Sequence, residues 1–282
     1  MAKILVVGCG KIGDQVARKL TALNHQVHGL RRSLQEAPYH TVTADVCQID
    51  SLGKLDQDFD LVIIALSPDE RNQDSYERIF QTGIANLVKQ LGNAPQMIFV
   101  SSTSVYNQNL GEWVNETSRT HPSQYQGQTL LAAEALVLAS QSHNSVVRFA
   151  GIYGPGRERL IKLAQSGQTI QKSLPYFTNR IHEQDCVGFL VHLTQMKLNG
   201  ETTEAIYCAA DDTPAPLWDV VRWISFQMDI PEPPSNRVNQ PDQNKRVANA
   251  RMKATGYELL YPSYRDGYGE MIQPVVKVVS AV

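Results

Sequence analysis

The first thirteen residues constrain this chain most. The apolar run Ile4–Val7 leads directly into three glycines, Gly8, Gly10 and Gly13. A short run of that kind reads as a buried strand, and Gln15–Leu23 behind it reads as a helix. Each glycine of G-x-G-x-x-G has its own task between a strand and a helix. Gly8 permits the tight turn, Gly10 lets the backbone approach a pyrophosphate, and Gly13 lets the helix lie close to the sheet. Free N–H groups and the positive end of the helix dipole then hold the phosphates. Bare spacing is a weak signal; strand before and helix after make it a strong one.

The pattern continues as alternating strands and helices. Strands are expected at Gln26–Leu30, His40–Thr43, Leu61–Ala65, Met97–Val100 and Val146–Phe149, with long helices over Glu70–Leu91 and Gly127–Ser140. Alternation of this kind implies parallel pairing through right-handed crossovers, an α/β fold with a doubly wound parallel sheet. Past Gly151 the pattern loosens. Helices are expected over Arg159–Ser166, Asp185–Met196 with Asp185 as N-cap, Leu217–Met228 and Ala248–Thr255, and a strand over Ala205–Ala209. The domain expectation is a Rossmann unit over 1–152, to which 181–210 returns. A smaller C-terminal substrate lobe takes 153–180 and 211–282.

Composition serves mainly to exclude. With 26 basic and 28 acidic residues the net charge is −2, and neither sign forms a run. No nucleic-acid surface is expected, and no apolar run approaches a membrane span. No leader opens the sequence, so a cytoplasmic location is expected. Cys9, Cys47, Cys186 and Cys208 form no C-x-x-C pair, and the seven histidines form no H-E-x-x-H. Reduced thiols and no metal are expected.

The end of the second strand selects the dinucleotide, because an acid there pairs with the ribose 2′-OH and repels a 2′-phosphate. This chain places Arg31 and Arg32 there, followed by Ser33. Two guanidiniums and a hydroxyl suit a phosphate, so NADP is expected, with NAD the alternative. A solvated surface pair is the structural reading of the same residues. Asp45, after the third strand, can accept from the adenine amino group or simply cap a turn.

These residues resemble the extended short-chain dehydrogenase/reductases, the NAD(P)-dependent epimerase/dehydratase group, over nearly the whole chain. The resemblance rests on the glycine turn, Ala44-Asp45-Val46, Ser101-Ser-Thr-Ser-Val-Tyr106, Val147–Gly156, Asn179–Asp185 and Ile206–Asp212. It implies cofactor contact by the glycine turn with Lys11 and Ile12, by Asp45 and Val46, by Ala65, Leu66 and Ser67, and by Gly151. It implies Ser102 as the hydroxyl that polarises a substrate carbonyl, and Tyr125 as the proton-exchanging phenol. The lysine that lowers the phenol's pKa is expected four residues on, where Thr129 stands, and Glu134 lies one residue late for the usual register. An unassisted tyrosine, with a pKa of about 10, is ionised only about once in a thousand at neutral pH. The chain therefore reads as an atypical branch. One reading is an NAD(P)-dependent oxidoreductase, epimerase or dehydratase for a small hydroxylated or carbonyl substrate. The other is a nucleotide-binding sensor or scaffold that has lost turnover. Tyr106 and Tyr153 are expected as pocket walls. Arg157, Arg159, Lys245 and Arg246 face either an anionic substrate or solvent. The resemblance leaves room for a homodimer through the two long helices.

Overall fold

The computed structural model describes residues 1–92, 95–237 and 244–272. Seven parallel strands form one sheet: β1 (Lys3–Val7), β2 (Gln26–Arg31), β3 (His40–Thr43), β4 (Leu61–Ile64), β5 (Gln96–Ser102), β6 (Ser145–Phe149) and β7 (Ile206–Ala209). Their spatial order is β7-β6-β5-β4-β1-β2-β3. Strand order reverses between β1 and β4, the switch point where open α/β sheets bind ligands. The fold is the expected one, a Rossmann-like α/β sheet with a smaller C-terminal region.

Register sets the levels of the site. Val7 pairs with Leu30 on one side and Ile64 on the other. The residues that follow, Gly8, Arg31 and Ala65, therefore leave three adjacent strands at one height. Two apolar layers cover the sheet, as parallel strands require. One layer packs β1, β4 and β5 against α3 (Ile84–Leu91) and α4 (Tyr125–Ser140) through Ile84, Leu87, Ala133 and Val137. The other packs α1 (Lys11–Ala22) and α6 (Glu183–Leu198) through Val16, Leu20, Phe189 and Leu193. A third cluster joins α5 (Arg159–Gln165), α7 (Leu217–Gln227) and α9 (Tyr264–Ile272) around Trp218, Val221 and Tyr268. This is the core of the smaller region, whose residues 238–243 and 273–282 lie outside the described residues. The short helix α8 (Ala250–Ala254) packs near β7.

Several boundaries differ from the sequence reading for identifiable reasons. Helix α1 starts at Lys11, not Gln15, so Gly13 is a helical residue. The helix expected from Glu70 begins at Gln73, because the Asn72 side chain accepts from Ser75 N–H at 2.8 Å and caps it. It is also not continuous. The first piece, α2 (Gln73–Glu77), passes through a π-helical stretch, Arg78–Gly83, before α3. At Gly83 a Cβ would meet the Val46 side chain at 2.8 Å, so the widened turn lies hard against the loop after β3. Helix α4 starts two residues early, at Tyr125, and α8 is shorter than the Ala248–Thr255 expected. The N-cap of α6 is His182, whose Nδ1 accepts from Gln184 N–H, and not Asp185. Asp185 lies wholly buried within the first turn, accepting from the Tyr257 hydroxyl and from the N–H groups of Leu260 and Tyr261. A local capping rule loses here to a tertiary clamp that one sequence cannot display.

Candidate functional site

The three glycines of the first turn have three distinct environments. Gly8 has φ +91°, and a Cβ on it would lie 2.6 Å from the Ala65 carbonyl oxygen. At Gly13 a Cβ would lie 2.2 Å from the Gly8 carbonyl oxygen, so only glycine lets α1 approach β1 this closely. At Gly10 a Cβ would meet nothing within 4 Å. The first and third are closed by protein, whereas the middle one is open. Gly10 is also the N-cap of α1 and offers no side-chain acceptor, which leaves the first N–H groups of the helix for another partner. Ile12 is buried in the helix beside them.

A cavity of about 430 Å³ opens from this turn across the ends of β1, β2 and β4. Its wall brings together Gly8, Gly10, Arg31, Arg32, Asp45, Val46, Ala65, Leu66 and Ser67. Arg31 Nε and Nη1 are buried there and have no hydrogen-bond acceptor among the described residues. Arg32 is different: its guanidinium makes a bidentate pair with Asp69 at 2.6 and 2.7 Å, and Arg78 holds the same carboxylate at 2.7 Å. Hydrogen bonding by Arg32 holds the Asp69 carboxyl below its usual range. Of the two arginines singled out in the sequence, one is thus already engaged and one is not. Asp45 Oδ1 accepts from Cys47 N–H at 2.9 Å, the turn-capping role, while the residue still lines the cavity.

On the other side of the switch point, Ser102 ends β5 and Tyr125 begins α4. Ser102 Oγ accepts from Ser104 N–H at 3.1 Å. Gly127 joins the two elements, since a Cβ there would lie 2.5 Å from the Ser104 carbonyl oxygen. The Tyr125 hydroxyl donates to the Arg71 carbonyl at 2.7 Å, and its ring stands edge-on to Tyr76. Thr129, in the position expected for lysine, is buried, and Gln128 donates to the Pro122 carbonyl. Behind these residues runs a buried polar network that sequence spacing did not reveal. Ser101 Oγ donates to Glu134 at 2.5 Å. Arg148 pairs with Glu134 at 2.6 Å and donates to the Tyr106 hydroxyl at 2.7 Å. That hydroxyl in turn donates to the Asn115 carbonyl. Tyr106 is therefore a core residue and not a pocket wall, and burial raises its pKa far above the usual phenol range.

The smaller region meets the sheet through two short paired strands, Gly151–Tyr153 and Arg180–His182. Tyr153 is also core, stacked on Tyr268 with ring centroids 4.5 Å apart. Lys245 is buried and donates to the Tyr106 carbonyl at 2.9 Å, so neither the substrate nor the solvent reading of it holds. Arg246 donates to the Gly111 carbonyl and lies over the Trp113 and Phe177 rings. Among the described residues no cluster of three or more metal-ligating side chains is present, and no helix is long and apolar enough to cross a membrane.

A model of the NAD-dependent epimerase/dehydratase family matches residues 4–203. The chain belongs to this family. A structure from Methylobacillus flagellatus, provisionally named an NAD-dependent epimerase/dehydratase, is 35% identical with a TM-score of 0.81, covering 96% of this chain and 97% of that one. Protein YeeZ of Escherichia coli K12 is 27% identical over 227 residues, 71% of this chain and 76% of its own length. The human epimerase family protein SDR39U1, solved with NADPH, shares the fold at a TM-score of 0.74 and 17% identity, covering 96% and 99% of the two chains. A nicotinamide dinucleotide is the cofactor typical of the family, and the open Gly10, the bare helix start and the cavity beside them fit one. Two contacts on the family frame were beyond the sequence reading. Asp69 neutralises Arg32, and Glu183 meets Lys11. Both arise between loops distant in the chain, so no spacing announces them.

Proposed function

We propose that this chain is an NADP-dependent oxidoreductase of the epimerase/dehydratase kind, acting on a small hydroxylated or carbonyl substrate. Arg31 carries the cofactor half of this reading. Its guanidinium has two buried donors, Nε and Nη1, without acceptors among the described residues, on the wall of a cavity that opens from the glycine turn. A buried donor without an acceptor is costly, about 1–3 kcal/mol and more when charged. A 2′-phosphate supplies several acceptors of the right charge, which a ribose hydroxyl does not. When bound, the nicotinamide supplies or accepts hydride.

The chain's own contribution to the chemistry is modest. Ser102 Oγ accepts from Ser104 N–H, which leaves its own proton to donate to a substrate oxygen. The Tyr125 hydroxyl donates its hydrogen bond to the Arg71 carbonyl, and Thr129 stands four residues on where a lysine is expected. With no lysine at that position, Tyr125 lacks the cation that would favour proton exchange with a substrate. The Ser/Tyr/Lys set is read as degenerate, with Ser102 as its working member. The same engagement of Tyr125 favours a second reading, a dinucleotide-binding sensor without turnover.

Cofactor oxidation and reduction against a panel of sugars, nucleotide sugars and aldehydes separates the two. The enzyme reading expects turnover that Ser102→Ala lowers at least about a hundredfold and Tyr125→Phe lowers less than about tenfold. Tight NADP binding with no hydride transfer to any member of the panel would leave the sensor.

A further inference from the structure

Lys11, the residue directly after Gly10 and the first of α1, does not lie along its own helix. Its ammonium donates to the Pro155 carbonyl and stands 2.8 Å from Glu183 Oε2. Glu183 opens α6 and is only 5% exposed. Arg157 Nε lies 3.8 Å from the same oxygen. Glu183 Oε2 and Arg157 Nε both lack an aligned hydrogen bond among the described residues. One buried carboxylate oxygen thus lies within ion-pair reach of two cations, close to Lys11 and farther from Arg157. The backbone of the intervening loop is shaped around this trio. Gly154 has φ +146°, and a Cβ there would lie 2.6 Å from Glu183 Cγ. Gly156 has φ +76°, and a Cβ there would lie 3.4 Å from Lys11 Nζ.

Lys11, Arg157 and Glu183 together carry one positive charge in excess, with Glu158 held on the Gly156 N–H beside them. A buried carboxylate recovers only part of its desolvation cost from a cation, so Glu183 can exchange one cation for the other. A diphosphate at Gly10 would sit one residue from Lys11 and bring further negative charge. We propose that Glu183 competes with the dinucleotide diphosphate for Lys11, and that when the diphosphate wins, Glu183 passes to Arg157. The exchange ties cofactor binding to the placement of the Tyr153–Arg157 loop, because Arg157 must close the remaining gap to the carboxylate. Lys11 thereby acts as a binding residue, and Glu183 and Arg157 as positioning residues that carry the event from the glycine turn to the smaller region. The inference rests on the dinucleotide reading above.

A double-mutant cycle in titration calorimetry tests it, with NADP and NADPH as the titrants and near-isosteric changes at both positions. Lys11→Met weakens binding roughly tenfold. Glu183→Gln tightens it roughly three- to tenfold, because its competitor for Lys11 is gone. In the Lys11→Met background the gain from Glu183→Gln disappears. Thermal midpoints of the three variants confirm that each is folded. A gain that persists without Lys11, or weaker binding by Glu183→Gln alone, overturns the exchange while leaving dinucleotide binding intact. No heat from either coenzyme form with the unaltered protein, nor from NAD or NADH, overturns both.

Discussion

The carboxyl ends of β1 and β2 and those of β5 and β6 treat polar side chains in opposite ways. At the first pair, Arg31 keeps two buried donors without acceptors, and Gly10 faces open space. At the second pair, Ser101, Glu134, Arg148 and Tyr106 satisfy one another in an unbroken buried chain. Unmet groups are tolerated where a ligand completes them, whereas met groups hold a backbone rigid. The cavity side is therefore left open for a ligand, whereas on the β5 and β6 side the polar groups hold Ser102 and the start of α4 in place. This contrast explains why the cofactor reads more clearly from the molecule than the reaction does.

The largest expected effect comes from breaking the satisfied side. Arg148→Met leaves the Glu134 carboxylate buried without its partner. The cost is about 3–5 kcal/mol of unfolding free energy, read as a lower denaturant midpoint. A loss under about 1 kcal/mol would mean that the network contributes little rigidity.

A second test concerns the exception on that side. Asp211, just past β7, is 1% exposed, and its Oδ2 has no partner among the described residues. Burial pushes its pKa up from 3.8 to about 7, with Arg180 working against the rise. An acid raised on folding holds its proton more tightly in the native state. Its contribution is therefore fullest below the unfolded value, falls as pH rises from about 4 to about 7, and is flat above. Asp211→Asn keeps the neutral form at every pH. The variant should gain stability over the parent progressively through that window, by up to roughly 4 kcal/mol, as followed by unfolding at a series of pH values. A difference independent of pH would place the proton elsewhere.

Much of this was legible in the chain. Most of the seven strands followed from apolar runs and the glycine turn and Arg31 from spacing beside them, whereas Ser102 came only from the family resemblance. What escaped was long-range pairing. Asp185 looked like a cap because the three donors that claim it come from Tyr257, Leu260 and Tyr261. Lys245 looked like a charge facing an anionic substrate or solvent because its acceptor is the carbonyl of Tyr106, far away in sequence. Arg32 looked like half of a phosphate clamp until Asp69 folded back onto it. Periodicity reports which face of an element is buried, but not which distant polar group will meet it there.

The comparison turns most directly on Arg31. Calorimetric titration of the unaltered protein and of Arg31→Ala with NADP and NAD should show NADP bound more tightly by the parent. Arg31→Ala should remove most of that preference, roughly ten- to hundredfold, while NAD affinity changes little. Equal affinity for the two coenzymes in the parent, or equal losses for both in the variant, would contradict the account.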